Sequence, residues 1–81
     1  MQEKLLLYTS PGCPDCLAVK QFLQNHGIAY HERDITVPGV ADEAKSRYGV
    51  RVAPITVIGK EVLFGTFSQQ RPGLQKYLLQ R

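Results

Sequence analysis

Cys13 and Cys16 are the only cysteines in an 81-residue chain, and just Pro14 and Asp15 separate them. Two thiols at this spacing can share a metal, staple a loop or exchange electrons. A closed zinc site needs four ligands, usually with a second Cys or His pair close in sequence. Here the only histidines are His26 and His31, five apart with Gly27 between them, and each reads as a surface or half-buried side chain. A disulfide enclosing two residues removes little entropy from the unfolded chain, and small extracellular domains usually carry several such bonds spread along their length. Thiol-disulfide chemistry is therefore the leading reading. The alternative is a binding module whose two cysteines hold a metal or, shared between two chains, an iron-sulfur cluster.

Redox chemistry requires the first sulfur to be an accessible nucleophile and the second to be held near it. The run Lys4 to Thr9 (KLLLYT) is short, apolar and aromatic, reads as a buried strand, and is closed by Ser10-Pro11-Gly12. Pro14 suits the first position of a helix. Cys16, Val19, Phe22 and Leu23 then recur along one face, and Asn25, His26 and Gly27 form its stop. This places Cys13 at a strand-to-helix junction, where unpaired N–H groups and the helix dipole favour negative charge. A thiol there is expected below the ~8.5 of a free cysteine. Cys16 shares the register of the core-facing residues, so it is the buried partner. Cys13 is thus expected to attack a disulfide and Cys16 to resolve the mixed disulfide that forms.

Pro14 stiffens the loop between the sulfurs. Asp15 has two opposed effects: its carboxylate is favoured at a helix N-terminus and, as a like charge, opposes the thiolate. If repulsion dominates, Cys13 is less acidic and the pair more reducing than with a neutral residue.

The rest of the chain supplies the frame. Ile28 to Asp34 reads as a second strand. Pro38-Gly39 breaks the chain, and Val40, Ala44 and Tyr48 fall at helical spacing before Gly49, giving a helix over Val40 to Tyr48. Ile55 to Ile58 is a β-branched strand after Pro54; Gly59-Lys60 turns into a partner strand, Glu61 to Phe64. Ser68 to Leu79 carries Leu74, Tyr77 and Leu78 at helical spacing, with Pro72 and Gly73 tolerable only near its first turn. The order β-α-β-α-β-β-α predicts an α/β fold: a four-stranded mixed sheet with three helices, parallel where a right-handed crossover joins strands 1 and 2 and antiparallel at the hairpin.

A chain of this length reads as one domain, 1–81. Its apolar fraction of 43% supports a packed core rather than disorder. No apolar run approaches the ~18 to 20 residues that span a bilayer, and Leu5 to Leu7 is too short for the core of a signal peptide. A cytoplasmic protein without membrane attachment is expected. The net charge of +3 is scattered, with no basic stripe interleaved with aromatics, so a nucleic-acid partner is not expected.

CPDC after a strand, a proline in VRVAPITVIG, and a glycine after the last hairpin together resemble the glutaredoxin branch of the thioredoxin superfamily. The resemblance runs from Leu5 to Leu79, and the length agrees, thioredoxins proper being longer. It implies a thioredoxin-like (glutaredoxin) fold and a small, monomeric dithiol oxidoreductase without bound cofactor, acting on protein or glutathione mixed disulfides. Glutathione or a thioredoxin reductase would be its external electron donor. It further implies a cis bond before Pro54 that exposes Ala53 to an extended substrate in the manner of an added strand, and a place for Arg51 against a substrate carboxylate. Substrate contacts would come from Pro14, Asp15, Arg51, Ala53, Pro54, Gly65 and Thr66.

The chain departs from the family at several positions that read glutathione. Ser10 or Pro11 stands where a lysine is frequent, Asp15 where an aromatic is frequent, Gly65-Thr66 replaces a Gly-Gly pair, and Gln69 replaces an acidic residue. The Phe67-Ser68 region also resembles glutaredoxin-like redoxins that take electrons from thioredoxin reductase and serve ribonucleotide reductase. Two further side chains carry alternatives. Tyr8 reads as packing or as a groove wall, and Lys20 as a solvated helix lysine or as a cation beside the thiolate.

Overall fold

The structure, a computed structural model, describes residues 5–79. The chain order is β1 (Leu5–Thr9), α1 (Pro14–Asn25), β2 (His31–Asp34), α2 (Val40–Tyr48), β3 (Ile55–Ile58), β4 (Glu61–Phe64) and α3 (Phe67–Leu74), which continues as a wide π turn over Gln75–Leu79. The strands lie in the order β2-β1-β3-β4; β1 and β2 are parallel and the other pairs antiparallel. This is the expected four-stranded mixed sheet with three helices. Lys4, expected to open the first strand, lies outside the described residues.

Alternation along β1 sorts the core into two layers. Leu5 and Leu7 join Val19, Leu23, Ile58 and Leu74, so α1 and α3 cover that face. Tyr8 joins Val40, Ala44, Ile55 and Val57, so α2 covers the other. Both layers are closed: Leu7, Val19, Leu23, Ala44, Ile55 and Leu74 are all fully buried. Tyr8 is fully buried as well and donates its hydroxyl to Glu43 of α2, which also pairs with Arg33. It is a packing residue and not a groove wall. Burial, with the hydrogen bond to Glu43, pushes its phenol well above the usual tyrosine value.

Two boundaries correct the sequence reading. The second strand starts at His31 instead of Ile28, because Ile28 closes α1: its N–H reaches the Leu23 carbonyl at 2.9 Å while Gly27 N–H reaches Gln24 at 3.1 Å. With Gly27 at φ +66° this is a Schellman stop, and Ile28 packs back onto the cluster that holds Leu23. The last helix starts at Phe67 instead of Ser68 and carries Pro72 in its interior. Thr66 caps it: its hydroxyl accepts the Gln69 N–H at 3.2 Å, and Gln69 Oε1 accepts the Thr66 N–H at 2.9 Å. That reciprocal cap fixes the start so firmly that Pro72 falls at the sixth position. Gly73 has a packing reason to be there, since a Cβ would meet Leu63 of β4 at 2.7 Å.

Candidate active site

The sheet register brings three loops to one edge. Tyr8 of β1 pairs with Ile55 of β3, and Ile55 pairs with Phe64 of β4. Immediately beyond that row lie the loop leading to Cys13, the Ala53-Pro54 step that enters β3, and the Gly65-Thr66 step that leaves β4. The Ala53-Pro54 bond is cis, as the resemblance implied.

Cys13 is the N-cap of α1, with extended backbone (φ −92°, ψ 110°), and Pro14 is the first helical residue. The Cys13 carbonyl accepts the Leu17 N–H at 3.1 Å, while its Sγ accepts the Cys16 N–H, also at 3.1 Å. The sulfur therefore takes the role that a Ser or Asp oxygen plays at an ordinary helix start. A sulfur anion at such a position gains from the orphan N–H groups and the helix dipole. Cys13 is half-buried and Cys16 only 2% exposed, so a bulky partner can reach the first thiol and not the second. Burial, helped by the neighbouring Cys13, pushes the Cys16 thiol up to about 11, against a smaller opposing pull from the backbone and hydroxyl of Ser10.

A cleft of about 470 Å³ opens beside the two sulfurs, walled by the Ser10-Pro11-Gly12 turn, Leu17 and Lys20 of α1, and Glu32 and Asp34 of β2. Glu32 and Asp34 share one face of β2 by alternation. Glu32 Oε2 accepts from Thr9 Oγ1 at 2.7 Å and from Lys20 at 3.2 Å, and these bonds hold its carboxyl below the usual range. Asp34 Oδ1 accepts from the hydroxyl and N–H of Thr36, with the same result. Lys20 thus faces the cleft but is engaged by Glu32.

Of the other expected site residues, Pro14 lines this cleft, whereas Asp15, Arg51, Ala53, Pro54, Gly65 and Thr66 do not. Asp15 turns to α3, where its Oδ1 accepts the Phe67 N–H at 3.1 Å. Gly65 has φ +102°, and a Cβ there would meet Gln69 Oε1 at 2.2 Å, so glycine is favoured at the residue after β4. Thr66 is committed to the α3 cap. Arg51 pairs with Asp42 at 2.8 Å, both side chains being largely exposed.

Gln70 was not found by sequence reasoning. It is 1% exposed, and its amide group donates to the Pro54 carbonyl at 2.9 Å and the Gly65 carbonyl at 3.1 Å while accepting from Thr56 Oγ1 at 2.6 Å. Nothing local marked it, since its partners come from β3 and from the loops on either side of the hairpin. His26 and His31 are both exposed, and His26 packs beside Phe22. Among the described residues, no three His, Cys, Asp or Glu side chains gather closely enough to hold a metal ion.

A mixed sheet with a dithiol at the N-terminus of its first helix and a cis-proline loop at the same end of the sheet defines a thioredoxin-like thiol-disulfide protein. The glutaredoxin family model matches residues 5–63, and the chain belongs to the glutaredoxin family. That membership makes it a thiol-disulfide oxidoreductase. Among solved structures it is similar to the thioredoxin-like protein BC3987, at 36% identity and a TM-score of 0.80 over 93% of this chain and 100% of that one. The fold is shared with a glutaredoxin from Archaeoglobus fulgidus (21% identity, TM-score 0.78, 94% and 86% covered). It is also shared with a buckwheat glutaredoxin in complex with glutathione (17% identity, TM-score 0.72, 91% and 70% covered). No curated protein matches the chain. Among the described residues no helix is long and apolar enough to cross a membrane.

Proposed function

We propose that this oxidoreductase works by a dithiol route in which Cys13 is the nucleophile and Cys16 the resolving thiol. The observation that carries the reading is the Cys16 N–H bond to Cys13 Sγ, with the first sulfur reachable and the second buried. Cys13 attacks a substrate disulfide, expelling one thiolate and forming a mixed disulfide. Cys16 then attacks Cys13 Sγ; the intramolecular disulfide forms, the mixed disulfide breaks, and the departing substrate sulfur takes up the Cys16 proton. The high Cys16 value supports this order, because a thiol protonated at neutral pH waits until the electrophilic sulfur is beside it.

Protein disulfides and glutathione mixed disulfides are the substrates of this reading, met in the manner of an added strand by the Ala53 backbone just before β3, with Pro14, Gly65 and Thr66 around them. Arg51 can trade its exposed pairing with Asp42 for a substrate carboxylate, because exposed ion pairs contribute at most about 1 kcal/mol. Electrons return from glutathione or from a thioredoxin reductase, and a reducing compartment such as the cytoplasm suits the cycle.

The test uses Cys13→Ser and Cys16→Ser with a disulfide-bonded protein substrate. Cys13→Ser abolishes turnover, and Cys16→Ser accumulates a covalent adduct detectable by mass spectrometry. An adduct on Cys16 in the Cys13→Ser protein, with turnover retained, overturns the assignment. Offering the oxidised protein glutathione with its reductase, or thioredoxin reductase with NADPH, shows which donor restores the thiols.

A further inference from the structure

The first turn of α3 touches both halves of the site. Its first residue, Phe67, gives its N–H to Asp15 Oδ1, across 52 positions of sequence. Its fourth residue, Gln70, is buried and gives its amide N–H to the carbonyl of Pro54 and to that of Gly65. The Thr66-Gln69 cap fixes the start of the same turn. Phe67 also packs against Phe22 of α1, with ring centroids 6.1 Å apart. One helical turn is thus bonded at one end to Asp15, one of the two residues between the cysteines, and at the other to the cis-proline loop.

We propose that Asp15 is a positioning residue: it latches the CPDC turn to α3, so that α3 holds Cys13 and Cys16 in register while a substrate is covalently attached to Cys13. The inference rests on the dithiol reading above. Capture needs only Cys13 Sγ, whose place is set locally by the N-cap. Release makes a larger demand. A disulfide requires Cα atoms about 4.4–6.8 Å apart and a narrow dihedral range, so the first turn of α1 must stay tight while the bulk of a partner pulls on its N-cap. Asp15 lies at the second position of that turn, and its bond to Phe67 joins the turn to another element. A carboxylate accepting a backbone N–H at a helix N-terminus is also one of the stronger kinds of hydrogen bond.

Charge and geometry are separated by comparing Asp15→Asn with Asp15→Ala. Both lack the carboxylate charge, and only Asn keeps an oxygen where Oδ1 sits, so any effect of charge on the thiols cancels between them. In single-turnover reactions with a disulfide-bonded protein substrate, capture is expected to be equal in the two variants. Release of the second substrate thiol is expected to be about tenfold slower in Asp15→Ala than in Asp15→Asn, the effect of one neutral hydrogen bond. The Phe67 amide, followed by hydrogen exchange in the substrate-free protein, is expected to exchange about tenfold faster in Asp15→Ala than in Asp15→Asn. Equal release rates in the two variants overturn the proposal, as does equal protection of the Phe67 amide. Wild-type protein that captures substrate without ever releasing it overturns the dithiol reading instead, and the Phe67 comparison then still decides whether the latch exists.

Discussion

Gln70 Nε2 donates to the Pro54 carbonyl at 2.9 Å, a buried bond between the last helix and the proline that precedes β3. The same side chain satisfies the Gly65 carbonyl and the Thr56 hydroxyl. Gln70→Ala leaves these groups unpaired in a dry interior and also leaves a void. Each unsatisfied buried group costs about 1–3 kcal/mol, so a net loss of about 3 kcal/mol is expected in denaturant unfolding. Gln70→Glu keeps the volume and tests the amide donor specifically. It is expected to lose at least as much at pH 7, where a carboxylate would face two carbonyl oxygens. Unfolding midpoints within error of wild type for both variants would show that the network contributes nothing.

Gly65→Ala is expected to cost about 2–3 kcal/mol. A φ of +102° is strained for any residue with a Cβ, at roughly 1–3 kcal/mol. The added methyl also displaces Gln69 Oε1 from the Thr66 N–H, and loss of a cap costs about 0.5–2 kcal/mol. Thermal unfolding of Gly65→Ala beside Gln69→Ala separates the parts: Gln69→Ala loses only the cap. If the two variants melt together, backbone strain at Gly65 is not significant.

Much of this frame was legible from sequence, and the exceptions have a common cause. Val40 to Tyr48 was read correctly from its spacing and from Gly49, which ends the helix at φ +76°. The start of α1 at CPDC was legible because Pro14, the preceding turn and the helical register act within a few residues of one another. Ile28 was misplaced because an isoleucine serves equally in a strand or as the hydrophobic return of a Schellman stop, and only the Leu23 contact distinguishes them. Pro72 argued against a helix interior on local grounds, yet the Thr66-Gln69 cap and the close approach of Gly73 to Leu63 outweigh that cost. The hydrogen bonds of Asp15 to Phe67 and of Gln70 to Pro54 were unreadable because the partners lie 52 and 16 positions away. Its near neighbours in sequence show Asp15 only as a helix N-terminal carboxylate close to a thiol.

Asp15→Asn also tests how the carboxylate acts on the neighbouring thiol. With the carboxylate anchored on the Phe67 N–H but still beside Cys13 in the chain, removing its charge is expected to speed alkylation of Cys13 at pH 6.5 by several-fold, since a like charge opposes the thiolate. The reduction potential is expected to rise in parallel. Slower alkylation in Asp15→Asn would mean that the carboxylate helps the nucleophile.

The Cys16 thiol gives the reduced protein an alkaline limit. Its native value, about 11, lies above the ~8.5 of an unfolded cysteine. Below pH 8.5 both states hold the proton and stability is complete. Between about 8.5 and 11 only the unfolded state releases it, so stability falls as pH rises, by on the order of 3 kcal/mol at the upper end. The oxidised protein and Cys16→Ser lack this titration and are expected to show a shallower alkaline decline in urea midpoints. Identical declines for reduced and oxidised protein would place the Cys16 value near that of a free thiol.

The acid limit has the opposite sign and a different origin. Glu32 is held below its ordinary value first by the Thr9 hydroxyl and then by Lys20, so it favours the folded state wherever it is ionised in both states. That contribution is complete above about pH 4.5, the unfolded range for glutamate, and is lost as pH falls through the lower native value. Glu32→Gln keeps an oxygen for Thr9 but cannot titrate, so its unfolding midpoint is expected to fall less steeply than wild type as the pH drops below about 4.5. Thr9→Val removes the leading cause and, with the hydroxyl of a buried residue gone, is expected to flatten the same limb while also weakening the protein at pH 7 by about 1 kcal/mol. If Lys20→Met flattens that limb more than Thr9→Val does, the ion pair and not the buried hydroxyl governs the carboxylate at the floor of the cleft.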